Sequence, residues 1–476
     1  MPDRIGATQR DAMVPVTARE PTGRRHTLAV LSVMIAVTLV TLDISIAYTA
    51  LPAMAADLRR SAAATVWVVN AYQLAMVAAV IPLAALGESI GHRRVHVAGL
   101  VVFVAASLAC ALAGSLPALI GARVLQGLGA AAVVSVTTAL IRVIYPPRSL
   151  GRGLGLYAMV VAVAFALGPT VASLVLSLVS WHWLYLLHLP LGAFALALGA
   201  RALPATEGSG HRYDVAAAML SAGMFTLLVY GIGEAARSAP WPRVAATWAA
   251  ALACCLLLLR RQAGHPAPML AIDLLRLPLL SLSAATSVFS FVVQGLAFVS
   301  LPFLLHSVMR WSQMDTGLLM TTWPVVLGIM ALNAGRLSDR WPAATLGGIG
   351  LMLLCAGMAL LAALPREAAA LDIAWRLALC GVGFGLFQAP NMNAIMGSAP
   401  AERSGGASGI VATSRMLGQA LGAALAAACF AVSEESGPTT ALWVGSGFAV
   451  LASVTSLLRH WARGSATTSS PGDRGS

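Results

Sequence analysis

About fourteen apolar runs, each roughly 17–27 residues long, follow one another along this chain, and each can cross the ~30 Å hydrocarbon layer of a bilayer as a helix. They fall near 27–50, 65–86, 95–113, 117–142, 153–179, 183–203, 214–234, 244–260, 282–305, 316–334, 343–363, 371–396, 406–432 and 440–460. In lipid the backbone must satisfy its own polar groups, and runs of this length do so as helices. The sequence therefore predicts an all-α integral membrane protein. Only 10% of the residues are charged, against about 25% in a soluble protein.

The formal charge of +12 does not point to nucleic acid, because the basic residues are scattered between apolar runs and form no patch with interleaved aromatics. They read as topology signals. With both chain ends inside, cytoplasmic loops and tails carry roughly 21 Arg and external loops about 6, as the positive-inside rule requires. An even number of spans and two cytoplasmic termini follow, in the plasma (bacterial inner) membrane. Residues 1–26 read as a cytoplasmic tail ahead of a retained first span, since no small-residue cleavage site follows it. Every basic side chain is Arg, so no Lys is present for a Schiff base, a phosphate loop or a proton relay. The six Cys lie inside apolar runs without CxxC spacing, as small core residues do.

The chain carries an internal echo. Leu86-Gly87-Glu88-Ser89 follows the second span and Leu337-Ser338-Asp339-Arg340 follows the tenth, each an acid closing a span before a short basic turn. Such a repeat suggests two six-helix bundles with substrate handled between them. The expected organisation is a tail (1–26), a first bundle (27–203), an inserted helix pair with linker (204–281), a second bundle (282–460) and a tail (461–476).

Asp43 is the only acid in the first run, and a carboxylate at membrane depth costs at least about 2.5 kcal/mol. Arg123 in the fourth run is equally costly and lies about 9 Å from the start of its helix, a depth comparable with that of Asp43. The two can therefore meet. A neighbouring cation favours the ionised acid and burial favours the neutral one. On a helical wheel Thr38, Thr41, Ser45 and Tyr48 share an arc opposite Asp43, so the first helix must be wedged between protein surfaces. The hydroxyls suit helix–helix contact or substrate contact. Asn70 with Gln73, and Gln388 with Asn391, are i, i+3 amide pairs that can line a pathway or bridge helices. Arg415 and Arg376 are further cations within spans, the latter close enough to an interface to snorkel. Gly151-x-Gly153-x-Gly155 and Gly381-x-Gly383-x-Gly385 lack the spacing and the strand of a dinucleotide loop, and His92 with His96 lacks a third metal ligand. No nucleophile–base set or phosphate loop is visible, so neither an enzyme nor an ATP-driven pump is expected, and no cofactor or metal.

Over almost its whole length the chain resembles the major facilitator superfamily, in its fourteen-span drug:proton antiporter branch. Leu42-Asp43 through Leu51-Pro52 is similar to the branch's first-span motif, with Ser45 and Tyr48 replacing Thr and Asn. Arg123-x-x-Gln126-Gly127 resembles the fourth-span motif, Leu167-Gly168-Pro169 the antiporter motif of the fifth span, and Ser180-Trp181-His182-Trp183 through His188-x-Pro190-x-Gly192 the segment that follows. The resemblance implies two six-helix bundles plus two inserted helices, proton coupling through Asp43 and Arg123, and a gate loop formed by Gly87, Glu88, Gly91 and Arg93 and repeated at Asp339 and Arg340. Separately from the resemblance, the polar side chains within spans make Tyr48, Asn70, Gln73, Gln126, Gln388 and Asn391 the candidates for a substrate pathway.

Two departures stand out. In the gate loop Glu88 replaces Asp, while Ser89 and His92 replace Arg, which thins the charge pairing by which the acid is expected to latch onto a neighbouring helix N-terminus. Ala172-Ser173 replaces Gly-Gly after Pro169, which predicts looser packing of the fifth span.

The reading that follows is a proton-driven exporter of amphipathic, cationic or aromatic compounds working by alternating access. Its rivals are a dedicated exporter of one metabolite or antibiotic and a non-transporting sensor on a transporter fold. Partners are a small-molecule substrate, protons and the lipid bilayer, with no nucleic acid. Accessory periplasmic efflux proteins are not assigned.

Overall fold

In the computed structural model of the chain, residues 23–208, 213–236, 240–262, 272–338, 340–400 and 403–467 are described. The outer parts of the two expected tails, the middle of the linker and Asp339 lie outside them. Fourteen helices are long and apolar enough to span a membrane among the described residues, as the apolar runs predict.

The first group is α1 (Arg24–Asp57), α2 (Ala62–Thr65) continuing into α3 (Trp67–Ile90), α4 (His92–Ala111), α5 (Leu116–Ile144), α6 (Leu150–Leu178), and α7 (His182–Leu186) continuing into α8 (His188–Ala202). Next come α9 (Val215–Ala236) and α10 (Trp241–Gln262). The last group is α11 (Pro278–Pro302), extended by a π-helical turn over Phe303–Val308, then α12 (Gln313–Ser338), α13 (Ala343–Ala362), α14 (Ala370–Ser398), α15 (Ser404–Val432) and α16 (Gly437–Thr467).

Local chemistry sets several boundaries. Ser115 caps α5 by accepting from the Ala118 amide at 3.4 Å, with a Pro in the first turn. Gly91, at φ 103°, ends α3 and turns the chain directly into α4. The first helix runs beyond the expected end near residue 50, through Pro52 to Asp57. Pro52 is buried against neighbouring helices, which is where a membrane helix tolerates a proline.

In the first group α1 packs on α6 and α8, and α5 packs on α3 and α4; in the last, α11 packs on α15 and α16, and α14 packs on α12 and α13. Helix α9 touches both α3 and α15, so the inserted pair lies over the seam between the two bundles. Because the crossings are even in number, the start of α1 and the end of α16 lie on one side of the molecule, here called the terminal end; the opposite side is the far end.

The bundles meet toward the far end. Thr170 of α6 and Thr321 of α12 share a 2.7 Å hydrogen bond, and Gln313 of α12 donates to the Thr49 carbonyl of α1 at 3.4 Å. Phe298 of α11 has ring centroids of Tyr48, Phe165 and Trp323 at 5.9, 5.2 and 5.5 Å. These rings belong to one apolar cluster drawn from both bundles. At the terminal end the clusters are separate: one around Val33, Val95, Leu140 and Ile144 lies in the first bundle, another around Leu280, Ile395 and Ala407 in the second. Among the described residues the apolar packing shared by the bundles lies toward the far end and at mid-depth, where Met416 of α15 joins Met76 and Val80 of α3, and none of it lies at the terminal end.

Close approach at the far end depends on one missing side chain. A Cβ on Gly317 of α12 would lie 1.6 Å from Ser173 Oγ and 2.5 Å from the Pro169 carbonyl of α6. The expected looseness around Ala172-Ser173 is therefore not observed. Both residues are fully buried, because the space given up on α6 is supplied by the glycine on α12.

Candidate functional site

Asp43 and Arg123 meet inside the first bundle. Arg123 Nη1 lies 2.7 Å from Asp43 Oδ2, with the two side chains 0% and 1% exposed. Around them a set of hydrogen bonds ties α1, α3, α4 and α5 together. Arg123 Nε donates to the Val68 carbonyl at 3.1 Å, and Nη1 also donates to Gln126 Oε1 at 2.6 Å. Gln126 Nε2 donates to Asp43 Oδ1 at 3.0 Å and to Ser107 Oγ at 2.9 Å. Cys110 Sγ donates to Gln126 Oε1 at 3.4 Å. The i, i+3 spacing of Arg123 and Gln126 is what lets one helix present both groups to α1.

The cation is also held by aromatic faces. The guanidinium carbon of Arg123 lies 4.1 Å from the ring centroid of Tyr72 and 5.7 Å from that of Tyr185. Spread over five donors and two rings, this charge suits a buried pair better than the point charge of a lysine. Chemically the site holds a carboxylate whose proton would compete with Arg123 and Gln126 for the same oxygens. Breaking a buried pair of this kind is costly unless the acid is neutralised at the same time.

Other expected residues are distributed around this centre. Gly127 lets α5 approach α3, since a Cβ there would meet the Tyr72 carbonyl at 2.4 Å. Tyr48 Oη accepts from Gln73 Nε2 at 2.6 Å, so these two bridge α1 and α3. Asn70 is 3% exposed and both its amide atoms lack a hydrogen-bond partner. Gly168 abuts Ser45, where a Cβ would come within 2.2 Å of the hydroxyl oxygen, and Ser45 donates to the Phe165 carbonyl at 2.8 Å. The Gly168-Pro169 turn of α6 thus touches the helix of Asp43 on one side and, through the Pro169 carbonyl, Gly317 of the second bundle on the other.

The two amides of α14 separate. Gln388 is half-buried, whereas Asn391 is 2% exposed and bridges helices: its Oδ1 accepts from Arg459 at 2.7 Å and its Nδ2 donates to the Ser283 carbonyl at 3.1 Å. Arg459 itself, 1% exposed in α16, also donates through Nε to the Ser456 carbonyl at 3.1 Å and contacts Ser283 Oγ. Arg415 is half-buried near the middle of α15. Arg376 donates to the Leu360 carbonyl and pairs with Asp372 at 3.0 Å.

The gate loop is tied to its own bundle. The Arg93 amide donates to Thr206 Oγ1 at 2.9 Å and its guanidinium to the Ala200 carbonyl at 2.8 Å. Gly91 leaves room for the Thr206 carbonyl, and Gly87 for Val136 and His92. The expected latch on Glu88 is not made: its side chain is exposed and has no ion pair among the described residues. In the second copy Arg340 is exposed, and Asp339 lies outside the described residues.

Three members of the central cluster carried no sequence signal strong enough to single them out for a role: Tyr72, Tyr185 and His188. His188 Nδ1 lies 3.8 Å from Asp43 Oδ1, with the ring 1% exposed. Its place in a His-x-Pro-x-Gly step just after an aromatic-rich turn was the available signal, because that turn sets α8 against α1.

Comparison with known proteins agrees with this architecture. Residues 33–423 match the family model described as Major Facilitator Superfamily. The chain is 46% identical over 433 residues to the uncharacterized transporter YebQ of Escherichia coli (strain K12), covering 90% of this chain and 95% of YebQ. It is 26% identical to the riboflavin transporter RibZ of Clostridioides difficile (strain 630), over 85% of this chain and 88% of RibZ. It is 31% identical to the multidrug resistance protein Stp of Mycobacterium tuberculosis (strain CDC 1551 / Oshkosh), over 84% of this chain and 75% of Stp. The fold matches the crystal structure of a bacterial homologue of the human lysosomal transporter Spinster in an inward-facing, unoccupied conformation. That match has a TM-score of 0.66 and 15% identity, over 93% of this chain and 98% of the other. With fourteen spanning helices, two packed bundles and a family match over most of its length, this chain belongs to the Major Facilitator Superfamily of membrane transporters.

Proposed function

We propose that this transporter is a proton-coupled exporter of amphipathic small molecules, with both termini cytoplasmic and the membrane that of the bacterial cytoplasm. The observation that carries the reading is the buried Asp43–Arg123 pair, the one acid–base couple at mid-depth in the first bundle among the described residues. A titrating carboxylate that is costly to bury charged and costly to unpair gives a proton leverage over conformation.

In the cycle inferred here, Asp43 is ionised and paired while the bundles part toward the cytoplasm. A proton arriving from outside neutralises the carboxylate, releases Arg123 from its ion pair and biases the bundles toward one orientation; loss of that proton to the cytoplasm biases them back. Carrying the equilibrium from 1:99 to 99:1 requires Asp43 to bind its proton about 10⁴-fold more tightly in one orientation than in the other. Contact between Gly168-Pro169 and both Ser45 and Gly317 supports a path from the helix of Asp43 to the closure between bundles. The positive-inside distribution of arginines supports the orientation.

On substrate, likeness to a multidrug resistance protein supports a broad range, and likeness to a riboflavin transporter supports a dedicated one. Arg415, a cation near mid-span in the second bundle, disfavours a strict preference for cations. The test is export from everted vesicles of an efflux-deficient host against a panel of neutral, anionic and cationic amphipaths. Accumulation that requires the proton gradient and spans unrelated compounds supports the broad exporter; accumulation of one compound supports the dedicated one. Accumulation of none supports the sensor and contradicts the proposal.

A further inference from the structure

His188 stands beside the coupling pair without a role in it. Its ring is 1% exposed, and neither ring nitrogen has a hydrogen-bond partner. Phe103 and Tyr185 cover it with ring centroids at 5.6 and 6.5 Å, and Nδ1 stops 3.8 Å from Asp43 Oδ1. The other oxygen of that carboxylate is held by Arg123, and Oδ1 already accepts one hydrogen bond from Gln126. A buried imidazole with both nitrogens unpartnered is uncommon, and proton exchange is the chemistry such a ring offers beside a carboxylate. Three more buried polar atoms in the same cluster lack partners: Arg123 Nη2 and the hydroxyls of Tyr72 and Tyr185.

We propose that His188 is a second proton-binding group of the coupling site and passes the proton between water and Asp43. This rests on the reading of Asp43 as the coupling acid. The ring, neutral with its proton on Nδ1, accepts a proton from hydronium at Nε2 and becomes imidazolium. It then donates the Nδ1 proton to Asp43 Oδ1, leaving a neutral ring with its proton on Nε2 and a neutral carboxylic acid. One proton has moved from water to the carboxylate, and nothing is oxidised or reduced. The imidazolium also competes with Arg123 for Asp43, which loosens the ion pair before the acid is neutralised. The charged and titratable groups around the ring are Asp43 from α1, Arg123 from α5 and Tyr185 from α7; on α4, Cys110 is directed to Gln126.

The test follows the proton and needs no substrate. Purified full-length protein is taken by a rapid jump from about pH 8 to about pH 5.5, and the infrared band of the protonated carboxyl is timed, its assignment fixed by loss in Asp43→Asn. His188→Asn and His188→Gln are expected to slow its appearance by about a hundred-fold, the low end for a positioned acid–base group. Added imidazole is expected to restore part of the rate in His188→Ala. An unchanged rate in the variants overturns the proposal while leaving Asp43 as coupling acid; absence of the band in the wild type overturns both. If neither variant folds, ¹⁵N spectra of histidine-labelled wild-type protein decide. A His188 ring that gains a proton between about pH 8 and 5 supports the relay, and one that stays neutral throughout overturns it.

Discussion

Arg123 Nη1 and Asp43 Oδ2 lie 2.7 Å apart across 80 residues of sequence, inside the first bundle and out of reach of solvent. Each group alone would be among the most expensive a membrane helix can carry. Together with Gln126 they form one connected set of donors and acceptors, so changes to any one of them are felt by the others.

Arg123→Lys keeps the charge and loses the fork. One ammonium cannot reach Asp43, Gln126 and the Val68 carbonyl as the guanidinium does through Nη1 and Nε. Losing a charge-assisted bond of this kind costs about 1.5–3 kcal/mol. Proton-driven transport is expected to fall by roughly ten-fold or more with folded yield retained, measured as initial rate per molecule in proteoliposomes.

Gln126→Leu removes a donor to the charged form of Asp43. Ser107 and Cys110 lose the same partner, and the Arg123–Asp43 pair loses the amide that bridges it. Proton-driven transport is expected to fall several-fold with folded yield retained, checked as initial rate per molecule in proteoliposomes.

Gly317→Ala acts on the closure between bundles. The added carbon has no room beside Ser173 and the Pro169 carbonyl, and overpacking of this kind costs about 1–3 kcal/mol. The far-end-closed state should lose population. With native cysteines replaced, a cysteine pair at the hydrogen-bonded positions Thr170 and Thr321 is expected to cross-link readily, and several-fold less when Gly317→Ala is added.

Arg459→Leu tests a buried cation outside the coupling centre. It strips Asn391 Oδ1 of its donor and should lower stability by about 1–3 kcal/mol. The melting temperature in detergent is expected to drop while the transport rate per folded molecule is kept. This is the opposite of the Arg123→Lys pattern.

The number of spans and the Asp43–Arg123 meeting were legible because charges inside apolar runs are conspicuous and helix rise converts position into depth. Arg459 was not, because it sits at the end of the last apolar run, where an arginine reads as an ordinary topology signal. Its small polar neighbour Ser456, on the same helical face, was the clue to an inward-pointing cation. Asn391 and Gln388 share a spacing but not a setting, since spacing fixes a face and not what lies opposite it. The exposure of Glu88 was not legible either, since a residue type in a loop does not say what lies opposite it. His188 escaped because a lone histidine in a helix more often packs than titrates, and its nearness to Asp43 exists only once α8 folds against α1.

The central claim is that Asp43 takes up and releases the coupling proton. Its most direct measurement is substrate-induced proton flux in proteoliposomes, for a substrate identified with the wild type, beside Asp43→Asn checked for folded yield. The account predicts that the variant folds and binds substrate while export and proton flux both fall to background. Wild-type proton flux in Asp43→Asn would contradict it.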